Sequence, residues 1–198
     1  MDIDIDFPDR QQVLNLIRHA PAAIQDKQSF KKHNTGVYCH EIPLNPLTGT
    51  ASIDYKTAED RGYFKIDFLN VSIYKDVKDE NHLIELMNRE PLWDLLEQDD
   101  FTDLLFHVNG HGGVLRQMKP KSIDQLAAVL AMIRPAKRYL IGEDWDTVLK
   151  EIWIKPNSNE YFFKKSHSFS YAMLVVVHMN LICEKLFTGT FNSPNQLD

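Results

Sequence analysis

Acidic and apolar residues alternate over residues 2–7, the period of a strand with one polar and one apolar face. Pro8 and Asp9 then open a helix that carries Val13, Leu14 and Ile17 at helical spacing. From Gly36 to Phe68 the pattern is extended: Gly-Val-Tyr-Cys-His, a Pro/Gly-rich loop through Gly49, and short strands ending in Tyr63-Phe-Lys-Ile-Asp-Phe-Leu69. Past Asp76 the periodicity becomes helical. Short helices are expected over 79–88, 91–98 and 101–107, and Ser122 is the expected N-cap of a helix that runs to Arg134 and stops at Pro135. Further helices are expected over 145–152 and 166–186, with Trp93, Trp145 and Trp153 in the core. Strands first and helices afterwards predict an α+β protein, with a small sheet lobe over 1–76 and a helical lobe over 77–198.

Composition adds limits. The chain has 198 residues, 43% of them hydrophobic and 25% charged, which suits a medium domain or two small lobes. No apolar run approaches the roughly 18 residues of a membrane span, and residues 171–181 read as a buried helix. The first residues are acidic, unlike a secretory signal. Cys39 and Cys183 lack metal-type spacing, so a reducing, cytoplasmic setting without membrane association is expected. The formal charge of −6 does not advertise a nucleic-acid binder. The basic residues nevertheless gather, at Lys31-Lys32, Lys119 and Lys121, Arg134 with Lys137 and Arg138, and Lys164-Lys165.

The candidate chemistry lies in carboxylates. On a strand, Asp2, Asp4 and Asp6 project from one face, where their mutual repulsion is unfavourable unless cations compensate. Magnesium, which demands hard oxygen ligands, is the natural counter-ion; a charged edge strand that resists aggregation is the plain alternative. Asp67 stands alone among bulky apolar residues, and an isolated buried carboxylate is costly unless it is paired or binds metal. Beside Asp2 and Asp4 it would complete a cage for two ions suited to phosphoryl transfer; a salt bridge to a nearby Lys or Arg is its alternative.

The segment Met-Asp-Ile-Asp-Ile-Asp-Phe-Pro-Asp-Arg at 1–10 resembles the Pro-Asp-x-Asp-x-Asp-Phe segment of the C-family bacterial replicative DNA polymerases, the alpha subunit of DNA polymerase III. Lys65-Ile-Asp67-Phe-Leu-Asn70 resembles the family's Lys-x-Asp-Phe-Leu-Gly, and Lys32-His33-Asn-Thr-Gly36-Val its Gly-Lys-His-Ala-Gly-Gly-Val. Lys119-Pro…Leu…Ala…Arg134-Pro135 is similar to its Lys-Pro…Arg-Pro-Gly helix, and Phe163-Lys-Lys165-Ser166-His167-Ser-Phe-Ser-Tyr171-Ala172 to Phe-Asn-Lys-Ser-His-Ser-x-x-Tyr-Ala. The five segments fall in family order and cover most of the chain. The resemblance is to a much shortened, phage-type relative: about twenty residues stand between Arg10 and Lys32 where the family has a long insertion, and Arg-Pro-Ala replaces Arg-Pro-Gly.

The resemblance implies a nucleotidyltransferase-like palm with a small mixed or antiparallel sheet, followed by helical fingers. It further implies magnesium-dependent, template-directed DNA polymerisation, with two Mg2+ ions (Mn2+ as substitute) held by Asp2, Asp4 and Asp67. Lys65 inherits a triphosphate contact. Lys65, Arg134, Lys165, Ser166, His167 and Tyr171 would bind the nucleotide, and Lys31, Lys32 and His33 the DNA. The expected partners are primer-template DNA, a dNTP and a second polypeptide supplying the family's Gly-Ser-rich loop or thumb, which have no counterpart here. Plain alternatives stand beside these roles: a dipole contact for Arg134, an N-cap at Ser166 and a solvated turn at 31–33. His107, Gly110, His111, Gly112 and Gly113 read as a flexible loop and not a zinc site. The rival for the whole chain is a non-catalytic polymerase-like module that binds DNA or a replication complex.

Overall fold

The computed structural model describes residues 3–27, 29–157 and 160–189. Packing divides the chain into two compact units, Met1–Asp76 and Val77–Asp198. The first is a four-stranded mixed sheet with short helices, the second is helical, and the fold class is α+β.

In the first unit, β1 (Ile3–Phe7) leads into α1 (Arg10–Leu14), followed by the hairpin β2 (Ala20–Asp26) and β3 (Ser29–Tyr38), α2 (Tyr55–Asp60) and β4 (Ile66–Asn70). The sheet order is β1-β4-β3-β2. β1 runs parallel to β4, with Asp4 paired to Asp67 and Ile5 to Phe68. β3 runs antiparallel to β4, with Gly36 opposite Asp67 and Val37 opposite Ile66. The end of β1 is tied to β4: the Asp9 carboxylate caps α1 by accepting from Gln11 N–H, and Arg10 N–H donates to Asn70 Oδ1 at 2.8 Å.

Each sheet face carries its own small core. Leu14, Val37 and Phe68 pack with Phe7 and Ile66 on the α1 side. Ala20, Ala22, Ala23 and Tyr38 pack against Ile42, Ala51 and Ala58 on the other. This second core explains why β2 was not visible as a strand in the sequence. Its alanines lack strand propensity, yet their small size admits the covering loop and α2. α2 likewise sits inside the segment expected to be only loop and strand, capped by Asp54, which accepts from Lys56 N–H at 3.0 Å.

The helical unit contains α3 (Glu80–Asn88), α4 (Asp99–Thr102), α5 (Gly112–Met118), α6 (Ile123–Met132), α7 (Trp145–Glu151) and α8 (Lys165–Thr188). α6 is capped by Ser122 as its sequence predicts, and every residue from Leu126 to Met132 is buried, the pattern of a helix surrounded on all sides. It packs along α8. α8 is long and apolar enough by length and composition to cross a membrane, but it supplies Ala172, Val175, Val176 and Met179 to the core. The segments 91–98 and 101–107 are not regular α-helices. Trp93–Glu97 is a 3-10 turn, α4 spans only Asp99–Thr102, and His107 takes a left-handed φ of 65°. Gly112 and Gly113 begin α5 instead of continuing a loop.

Asn180 locks α3 onto α8. It is 2% exposed, and its amide donates to the carbonyls of Leu86 and Arg89 at 2.9 and 2.8 Å, closing the C-terminus of α3. Asn180→Ala strands one buried and one part-buried acceptor and is expected to lower unfolding free energy by about 2–3 kcal/mol, measured by urea denaturation. Ser170→Ala, at an exposed position of the same helix, is expected to change it by less than about 0.5 kcal/mol.

Candidate active site

The parallel pairing of β1 with β4 decides the geometry of the sheet unit. Asp4 and Asp67 are register partners, so their carboxylates share one face of the sheet a strand spacing apart, about 4.8 Å. Asp6 follows on the same face, and its carboxyl is raised above the usual range by burial and then by the charge of Asp4. Asp2 lies outside the described residues.

Asp67 is 9% exposed and has several partners. Lys65, two residues earlier on the same face, holds Oδ2 in a buried ion pair. The Thr35 hydroxyl donates to Oδ1 at 2.7 Å. Burial alone would raise this carboxyl, but the Lys65 and Thr35 hydrogen bonds and the charges of Lys65 and then His33 outweigh it and hold it below the usual range. The salt-bridge alternative for Asp67 is therefore present in the geometry, with Lys65 as its cation.

A bulge in β3 brings Thr35 there. Pro21 pairs with Val37 and Ala23 with Lys32, so residues 33–36 stand opposite Ala22 alone. The His33 ring folds back onto this bulge, where Nδ1 accepts the N–H groups of Thr35 and Gly36 at 3.2 and 2.9 Å. His33 Nδ1 also lies 3.7 Å from Asp67 Oδ1. Tyr55, the first residue of α2, completes the surroundings, with its ring edge-on to His33 at 5.3 Å and the Lys65 ammonium 5.8 Å from its centroid.

Lys31 and Lys32 lie exposed on β3, not in a turn, and Lys31 pairs with Asp26. His33, grouped with them in the sequence, is turned toward Asp67. Thr35 and Gly36 stood in the matched segment at 32–37 without an assigned role and Tyr55 was not noted, because nothing in a linear pattern shows which residue a bulge will aim at a carboxylate.

In the helical unit, three of the expected residues gather around Phe163. The Arg134 guanidinium lies 5.0 Å from the Phe163 centroid. Tyr171 stacks on that ring at 5.3 Å, and His167 meets its edge at 6.2 Å. His107 closes the row, edge-on to Tyr171 at 4.0 Å. Arg134 Nε and His107 Nε2 are both occluded without a hydrogen-bond partner. Burial, and then the Arg134 charge, push the His107 imidazole down to about 4. At the C-terminus of α6, Arg138 Nε donates to Ile133 O at 3.4 Å, so a second cation stands beside Arg134's position at this helix end.

Lys165 and Ser166 are placed differently. The Lys165 ammonium lies 5.9 Å from Trp153 and 5.6 Å from Phe169, an aromatic pair apart from the Phe163 row. Ser166 is exposed in the first turn of α8 and is not its cap, because the N-cap position falls at Lys164.

The carboxylates suit a hard divalent ion by donor type: Asp4 and Asp67 offer only oxygen ligands from adjacent strands. Among the described residues no group of three or more His, Cys, Asp or Glu side chains is assembled to hold a metal. No protein-family model matches the chain, and no curated protein matches its sequence.

Two outcomes follow from this geometry. A Cβ on Gly36 would meet Lys65 Cδ at 2.7 Å and His33 Nδ1 at 3.1 Å. Gly36→Ala is therefore expected to push Lys65 off Asp67 and to cost about 1–3 kcal/mol of stability by denaturant titration. For His107, the native value near 4 lies below the unfolded value of about 6.5, so the unfolded chain binds the extra proton first. Native stability is expected to fall as pH drops from about 6.5 to about 4, and His107→Gln to flatten that part of the pH–stability curve.

Proposed function

We propose that the chain is a magnesium-dependent, template-directed nucleotidyltransferase, a shortened relative of the C-family replicative DNA polymerases acting on primer-template DNA and dNTPs. The observation that carries the reading is the register of β1 on β4, which sets Asp4 beside Asp67 with Lys65 at hand. In this reading the sheet unit is a nucleotidyltransferase-like palm and the helical unit corresponds to fingers.

Asp2, Asp4 and Asp67 would hold two Mg2+ ions, or Mn2+ in their place. Bound there, the ions would lower the pKa of a primer 3′-hydroxyl and neutralise the leaving pyrophosphate. The chain's own groups would position and neutralise, which is most of what phosphoryl transfer requires. Thr35 orients the Asp67 carboxylate through its hydroxyl, leaving Lys65 as the cation exchangeable for a triphosphate contact. Arg134 and Tyr171, already fixed against Phe163, would take the phosphates and the base of the nucleotide, with His167 at the edge of the same ring. Lys165 and Ser166 would make outer contacts, and Lys31 and Lys32 would meet DNA phosphates by charge alone. A second polypeptide would supply the triphosphate loop or thumb, in a cytoplasmic setting.

One observation favours the rival, a non-catalytic polymerase-like module: both Asp67 oxygens are engaged by the protein's own donors. Primer extension by the purified chain with Mg2+ or Mn2+, alone and with candidate partner proteins, separates the two. Polymerisation predicts template-dependent extension reduced at least about 100-fold by Asp67→Asn, the scale of a lost transition-state charge contact. Extension that survives Asp67→Asn, or that never appears with any partner, excludes the catalytic reading.

A further inference from the structure

We propose that the outer edge of β1 is a docking site for an extended segment of a protein partner, one that alternates basic and apolar residues and pairs with β1 as a fifth strand. β1 stands at the end of the sheet order, with β4 as its neighbour. Phe7 O accepts from Val71 N–H at 2.8 Å, and Phe7 is the register partner of Asn70. In a parallel ladder, alternate residues turn both backbone groups toward the same neighbour. Ile3, Ile5 and Phe7 therefore serve β4, and the N–H and C=O of Asp6 point off the sheet. The opposite edge of the sheet is closed by the chain itself. Ala23 on β2 bridges to Asp54, Gln25 N–H donates to Asp54 Oδ1 at 2.9 Å, and Pro21 O accepts from Ala51 N–H at 2.8 Å.

The side chains of β1 give this edge two chemistries. Ile5 lies beside Phe68 and Ile3 beside Ile66, on the face that carries the Leu14, Val37 and Phe68 core. α1 is five residues long; it covers Phe7 and Phe68 and stops short of Ile3 and Ile5, which are 38% and 37% exposed. The apolar face thus runs out to the edge without a cover. Asp4 and Asp6 project from the other face, because successive residues of a strand alternate.

Those charges select the partner. A second copy of β1 paired antiparallel on this edge would bring Asp4 and Asp6 against their own kind, and like charges opposite one another destabilise a strand pair. A segment with Lys or Arg at alternate positions meets the acids with opposite charge. Its intervening apolar residues extend the face of Ile3 and Ile5. Main-chain hydrogen bonds supply the affinity of such an added strand, and its alternate side chains supply the specificity. β1 spans five residues and is followed by Pro8, so the docked stretch is short. A strand added here lies beside Asp4, but the docking does not rest on the nucleotidyl-transfer reading.

The test is fluorescence anisotropy of labelled peptide amides titrated with the full chain in chelator-containing buffer. Lys-Val-Lys-Val-Lys-Val is expected to bind. Its isomer Lys-Lys-Lys-Val-Val-Val and the acidic Glu-Val-Glu-Val-Glu-Val are expected to bind at least about tenfold more weakly. Asp6→Asn is expected to weaken binding of the alternating peptide about threefold, the weight of one cross-strand charge pair. Asp6→Pro removes the outward N–H without touching the ladder to β4 and is expected to weaken it at least about tenfold. Asp60→Asn, which removes the same charge from α2, is expected to change nothing, with thermal melts confirming that each variant is folded. Hydrogen exchange on the unaltered chain reads the same edge without a variant: bound peptide is expected to slow the Asp6 amide at least about tenfold. No binding of the alternating peptide, equal affinity for either control peptide, unchanged binding by Asp6→Pro, or an Asp6 amide that does not slow would each overturn the proposal. So would sedimentation of the chain alone as a dimer that Asp6→Pro dissociates, since the occupant is then a second copy. Peptide binding needs no metal, nucleotide or DNA, so failed primer extension leaves this edge standing, and failed peptide binding leaves the polymerase reading untouched.

Discussion

A carboxylate in the middle of a sheet face must be neutralised or it unfolds its surroundings, and Asp67 imposes that demand on the whole first unit. Lys65 answers it from the same strand, since residues two apart share a face, and Thr35 answers it from the neighbouring strand through a bulge. Gly36 has no side chain because Lys65 passes through the space one would fill. Even the His33 ring is drawn into the arrangement, holding the bulge by accepting two backbone N–H groups. The parallel pairing of β1 then places Asp4 next to a carboxylate that is already balanced by Lys65.

The helical unit poses the opposite problem. Its Arg134 lies against Phe163 in a row of planar groups that ends at His107, and the imidazole there is held neutral by burial and by the arginine's charge. A second positive charge inside the row would repel Arg134, so the stack depends on a histidine that resists protonation. α6 and α8 supply the rigid frame, with α6 buried on all sides and α8 presenting His167 and Tyr171 one turn apart on one face. Lys165 and Phe169 occupy another face of α8, which is why adjacent residues of one motif end in different surroundings.

Much of the secondary structure was legible. The alternation at residues 3–7 is β1, Ser122 caps α6, and the apolar tract after residue 165 is the long α8. The failures have physical causes. β2 is alanine-rich because a loop and α2 must approach closely, so it lacks the β-branched signature of a strand. His107 interrupts an apolar run that reads as helix, because its backbone turns left-handed between Phe106 and Val108. The cap of α8 falls at Lys164 although Ser166 is the better capping residue by type, since packing along α8 sets where the helix begins.

The sequence by itself determined the chemical inventory: a row of acids on one strand face, a lone acid in an apolar strand, and the periodicities that make an α+β chain. Only the tertiary structure decided which groups meet. It pairs Asp4 with Asp67 through strand register, gives Asp67 to Lys65 and Thr35, turns His33 inward, and separates Lys165 from Arg134. Register, bulges and helix phase are set by burial summed over a whole sheet or core, and no single residue encodes that sum.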